Sequence, residues 1–135
     1  MKKILFVLVV ILSLSLSLTA CGGGGPPTKL DITMTDFKYE PVDNTVAAGK
    51  EITLKLANKG AVLHEYVIMK LGETAGDKFG PEDEDNIYWE VELDPGKSNT
   101  VTFTAPTEPG VYEIVCGTEG HLVAGMKGSL TVAAP

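Results

Sequence analysis

Cys116, His121 and Met126 stand in one short run, with four residues between each and the next. A thiolate and a thioether are soft ligands that favour Cu(I), while an imidazole suits both oxidation states of copper. Loops of this length can turn back on themselves, so the three side chains can converge on one point. Only one other histidine exists, His64, placed after a Gly-containing turn. Two imidazoles and one thiolate make a single trigonal His₂Cys set, and a long, weak axial methionine completes a blue-copper electron-transfer arrangement. The candidate metal ligands are therefore His64, Cys116, His121 and Met126, around one copper ion.

The second cysteine, Cys21, has a different setting. Lys2 and Lys3 open the chain, and Ile4 to Leu18 is apolar apart from interspersed serines. At 15 residues this stretch is short of the roughly 20 that a membrane-spanning helix needs. It has the length and flanks of a signal-peptide core. It ends Leu18-Thr19-Ala20-Cys21, before Gly22 to Gly25, Pro26 and Pro27. This resembles the bacterial lipoprotein box, which implies removal of residues 1–20 and a lipid on Cys21. An ordinary secretory signal is the alternative, and both readings place the protein outside the cytoplasm.

With Cys21 assigned to lipid, Cys116 stays unpaired in a compartment where disulfides normally form. A bound metal would explain it. The chain without residues 1–20 carries nine lysines, no arginine and 18 acidic residues, a net charge of −9. Phosphate backbones repel such a chain, so nucleic acid is a poor partner. The acidity also argues against adsorption to anionic lipid, which leaves acyl chains as the membrane link.

Strands are what must position these ligands. Leu30, Ile32 and Met34 alternate with Asp31, Thr33 and Thr35, and Ile52, Leu54 and Leu56 with Thr53, Lys55 and Ala57. That is the period of a half-buried strand. His64 to Lys70 carries strand formers on both faces and reads as central. Val101 and Phe103 share a face, as do Tyr112, Ile114 and Cys116, and Met126, Leu130 and Val132. Turns at Ala48-Gly49-Lys50, Asn58-Lys59-Gly60, Asp94-Pro95-Gly96 and Pro109-Gly110 separate the runs. The expectation is an all-β Greek-key sandwich. Residues 21–28 form a Gly/Pro linker and 29–135 the folded domain. An acidic loop or short helix is inserted around 72–86, before a strand at Ile87 to Leu93.

These features together resemble the cupredoxins, the small blue copper proteins of the azurin, auracyanin and rusticyanin kind. The resemblance covers residues 30–134. It rests on Asp36-Phe37-Lys38-Tyr39-Glu40-Pro41, on Asn58-Lys59-Gly60 followed by His64, and on the Cys116–His121–Met126 loop. It implies a sandwich with one type 1 copper ion at one end, held at His64, Cys116, His121 and Met126. The implied role is a one-electron carrier rather than an enzyme. Electrons would pass at the exposed edge of His121, with redox partners docking on Leu122, Val123 and Ala124 if these form a surface patch; packing of the loop is the alternative. A monomer fits that role best.

Two departures stand out. Glu65 follows the first histidine where relatives commonly have asparagine, and Glu119 stands where proline is common, which predicts a less rigid loop. Glu65 alternates with His64 and should face away from the metal. Its carboxylate could bond a backbone N–H or Thr118 in place of the amide. The run Glu82-Asp83-Glu84-Asp85 reads as solvated surface, with steering of a basic partner as the alternative. Copper storage or delivery is the competing function, and the absence of a Met-rich run weighs against it.

Overall fold

Every second residue of a strand turns to the same side, so the apolar alternation decides which face goes inward. The computed structural model describes residues 24–134. Its strands are β1 (Lys29–Thr35), β2 (Lys38–Glu40), β3 (Asp43–Ala47), β4 (Glu51–Asn58), β5 (His64–Met69), β6 (Ile87–Leu93), β7 (Ser98–Thr104), β8 (Gly110–Val115) and β9 (Lys127–Ala133). In β4, Ile52, Leu54 and Leu56 are fully buried while Glu51 and Lys55 face solvent.

The strands form two sheets, in the orders β2-β1-β4-β7 and β3-β9-β8-β5-β6. Their inner faces enclose one core that includes Ile32, Met34, Leu54, Tyr66, Ile114 and Leu130. Most neighbours are antiparallel, but β1 pairs with β4 and β3 with β9 in parallel. Parallel neighbours need a connection that crosses over. Here the chain passes from one sheet to the other between β2 and β3, which gives the expected Greek-key sandwich.

β5 is central, with β6 and β8 on either side. Tyr66 and Ile68 face the inner core, and Val67 and Met69 face outward into a second cluster with Ala75, Val115 and Leu122. Phe79 and Ile87 pack on that cluster. The segment expected as an insertion at 72–86 is thus the cover of the sheet's outer face. Its regular structure is a single 3₁₀ turn, Glu84–Asn86. Asp83 leaves the acidic run for the interior and accepts the Gly80 N–H at 2.8 Å.

Bonding to the sandwich begins before Lys29. The Pro27 carbonyl accepts the Ala47 N–H at 3.2 Å and the Thr28 carbonyl the Thr53 N–H at 2.9 Å. The signal segment, Cys21 and the first two linker residues lie outside the described residues.

Candidate metal centre

The register of the five-stranded sheet gathers the four candidate ligands. His64 opens β5, Cys116 follows the last residue of β8, and Met126 precedes the first residue of β9. β8 is antiparallel to both neighbours, with Val115 opposite Val67 and opposite Lys127. The start of β5, the end of β8 and the start of β9 therefore share one end of the sandwich, and the β8–β9 connection carries His121.

At that end, His64 Nδ1 lies 3.1 Å from His121 Nδ1, and Cys116 Sγ lies 3.4 Å from His121 Nδ1 and 4.0 Å from His64 Nδ1. His64 and Cys116 are fully buried, and His121 is 6% exposed. Bonds of about 2.0 Å to nitrogen and 2.3 Å to sulfur, as in zinc sites, put donors of a trigonal ion roughly 3.5–3.7 Å apart. The observed triangle brackets that range, so the donors fit a single ion. Met126 is fully buried in the same core cluster as Cys116. Its backbone is tied to two of the other candidates, its N–H to the His121 carbonyl at 3.0 Å and its carbonyl to the Cys116 N–H at 3.2 Å.

Side chains remote in sequence hold the His64 half. The buried Asn58 amide donates to the Val62 and Leu93 carbonyls, both at 2.8 Å, and its oxygen accepts the Gly60 N–H at 2.9 Å. This fixes the turn that delivers His64. On the far side of the ring, His64 Nε2 lies 3.2 Å from Asp36 Oδ1. An imidazole that offers Nδ1 to a metal carries its proton on Nε2, and a carboxylate acceptor there selects that tautomer.

Cys116 Sγ accepts the Glu65 N–H at 3.4 Å, which ties it to the residue after His64. Glu65 itself follows the alternation. Its carboxyl faces Glu90, Glu92 and Glu84 and takes a hydrogen bond from the Gly117 N–H. Burial and those three acids push the carboxyl above its ordinary range, and the Gly117 bond opposes them. The carboxylate thus joins the two ligand segments, while Thr118 bonds the Leu63 carbonyl at 3.2 Å. Burial, with His64 adding, holds His121 below the usual imidazole range, and Asp36 opposes it. A neutral imidazole is the form that donates to a metal.

The ligand loop is bonded turn by turn despite Glu119. His121 N–H donates to the Thr118 carbonyl, Ala124 to Gly120 and Gly125 to Leu122. Of the two alternatives for this loop, packing holds for Leu122. Leu122 is 6% exposed and packs in the outer cluster, because the loop tightens at Gly120 and turns it inward. Of the expected apolar patch, Val123, at 71% exposure, and Ala124 reach the surface. The contact of Asp36 with His64 is not among the sequence expectations, although Asp36 lies in the Asp36–Pro41 stretch that carries the family resemblance. A carboxylate next to an aromatic in a short hairpin connection was the available signal.

The family model of the cupredoxin-like domain matches residues 4–132. The chain belongs to the cupredoxin-like family. Auracyanin-A of Chloroflexus aurantiacus is 31% identical over 95% of this cupredoxin and 96% of its own length. The solved structure of auracyanin A, a "blue" copper protein from that bacterium, superposes with a TM-score of 0.64 at 29% identity, covering 81% of this chain and all of that one. The dithionite-reduced auracyanin of Roseiflexus castenholzii gives a TM-score of 0.68 at 35% identity, over 81% and 99% of the two chains. The copper-resistant cuproprotein CopI of Rubrivivax gelatinosus is 29% identical over 75% of this cupredoxin and 64% of CopI. As a cupredoxin, the chain presents a donor set that suits one type 1 copper ion.

Proposed function

We propose that this cupredoxin is an extracytoplasmic one-electron carrier, with His64, Cys116 and His121 as the equatorial copper ligands and Met126 as the axial one. The observation that carries this reading is the convergence of two Nδ1 atoms and one Sγ within 3.1–4.0 Å in a buried pocket. Copper, when bound, supplies a metal that exchanges single electrons between two oxidation states. The chain's own part is to hold the donors in place, exclude water and present an exit. Two rigid strands and a bonded loop limit reorganisation, and the inner core shields Cys116. Val123 and Ala124, beside the 6% exposed His121, form the docking surface for a redox partner. A groove of about 510 Å³ lined by Phe79, Pro81, Thr118 and Val123 adjoins it. Four protein ligands leave no open metal position for catalysis, so electron carriage is favoured over an enzyme. Lipid on Cys21 anchors the monomer to a membrane by the lipoprotein-box reading.

Copper storage or delivery is the second reading, and the similarity to CopI favours it. Adding Cu(II) to the purified chain decides between them. The expected outcome is an intense blue colour from thiolate-to-copper charge transfer, copper that resists chelators, and reversible one-electron bleaching. A colourless, readily stripped adduct supports delivery. Cys116→Ser abolishes the colour, whereas Met126→Leu keeps it and raises the reduction potential. A coloured Cys116→Ser variant would overturn the ligand assignment.

A further inference from the structure

One two-residue turn touches both histidines of the centre. Asp36 and Phe37 connect β1 to β2, with Thr35 paired to Lys38 across the turn. This hairpin belongs to the four-stranded sheet, whereas His64, Cys116 and Met126 flank strands of the other one. The turn therefore reaches the ligands from across the sandwich, independently of the segments that carry them.

Each residue meets a different ring. Asp36 Oδ1 lies 3.2 Å from His64 Nε2 and also accepts the Ala61 N–H at 2.9 Å. Any side chain at Gly60 would run into both Asp36 Oδ1 and His64 Nε2, so glycine is what lets the two close up. Phe37 packs T-shaped on His121, with centroids 5.2 Å apart and planes at 87°.

Phe37 is a poor choice for a turn on local grounds alone. Its φ of 67° is in the left-handed region, the one such non-glycine case among the described residues. That backbone disfavours a bulky side chain and suits glycine or asparagine. Phe37 is also 48% exposed and lies outside both apolar clusters, so core burial does not account for it. What the ring does meet is His121.

We propose that the Asp36–Phe37 turn is a clamp on both imidazoles, Asp36 selecting the tautomer of His64 and Phe37 setting the tilt of His121, so that the donor triangle is formed before copper arrives. Both are positioning residues, acting through the ligands rather than on the metal. The clamp rests on the copper reading for its purpose but not for its existence, because it acts on the copper-free chain. Asparagine at 36 keeps a carbonyl oxygen for both hydrogen bonds and loses only the charge. Glycine at 37 removes the ring and relieves the backbone.

The test uses the full chain, ¹⁵N-labelled and copper-free, with imidazole tautomers read from long-range ¹H–¹⁵N correlations at mildly alkaline pH. His64 is expected as the Nε2–H tautomer in the parent and in Asp36→Asn, and as a mixture in Asp36→Ala. Asp36→Ser, too short to reach Nε2, replaces the alanine variant if that fails to fold. Phe37→Gly is expected to unfold no earlier than the parent. On copper loading, Asp36→Ala and Phe37→Gly each lose about 10- to 100-fold in affinity, the usual effect of removing an outer partner of a ligand. Asp36→Asn loses far less, and its reduction potential rises. An unchanged His64 tautomer in Asp36→Ala, or affinities within about twofold of the parent in both truncations, would overturn the clamp. A chain that shows the tautomer change yet refuses copper sinks the copper reading and leaves the clamp standing.

Discussion

His64 and His121 face each other at 3.1 Å, yet the fold holds them by opposite means. His64 begins a central strand, and side chains from residues 36 and 58 fix both its approach and its ring. His121 sits within a loop whose turns are closed by local backbone bonds. Next to His121 the loop is anchored by Leu122 in the outer cluster, and it ends at Met126 in the inner core. His64 depends chiefly on long-range polar contacts, His121 on local backbone geometry, the buried Leu122 and the Phe37 ring. The two halves of the centre should therefore fail to different substitutions.

Asn58→Ala is expected to have the largest effect, because it leaves two carbonyls and one N–H of the His64 approach without partners. The Leu93 carbonyl is left buried and unpaired at about 1–3 kcal/mol, and loss of the two part-buried bonds adds to it, which predicts about 3 kcal/mol in denaturant unfolding. A cost below about 1 kcal/mol would mean that the amide is not what holds this half. Leu122→Ala comes next, at about 2–3 kcal/mol for a buried leucine. Hydrogen exchange should quicken first at the amides of His121 and Ala124, while the strand amides of β5 stay protected. If both regions loosen together, the two halves are coupled and the contrast is lost. Gly120→Ala should be the mildest. Gly120 has φ +81 with open space around it, so only backbone strain, about 1 kcal/mol, opposes a methyl group there.

This asymmetry also decided what the sequence disclosed. The candidate ligands were legible because few residue types can serve and the chain holds so few of each. Cys116 in phase with Tyr112 and Ile114 matches the shared inner core. Long alternating strands were legible for the same periodic reason, and β6 falls on the residues expected. β2 and β3 were not anticipated. β2 has three residues, and β3 reads Asp-Asn-Thr-Val-Ala, with too little alternation to stand out. Leu122 stays open between surface and packing in the sequence because a glycine-rich loop has no period, so nothing local says which of Leu122, Val123 and Ala124 turns inward. The outer cluster escaped notice because its parts, Val67, Ala75, Val115 and Leu122, come from four segments.

The direction of β1 has a further consequence. It starts at Lys29 and ends at the turn that touches the two imidazoles, so its seven residues separate the N-terminal attachment from the ligand end. At the rise of a strand this is about 20 Å. The hydrogen bonds of Pro27 and Thr28 pin the incoming chain at that remote pole. With Cys21 carrying lipid as proposed, the five residues before Pro27 span at most about 20 Å. The bilayer would then lie behind the molecule, and the edge of His121 would look out into the aqueous compartment. A protein leashed in this way gives up free diffusion but keeps its electron port turned toward visitors from solution.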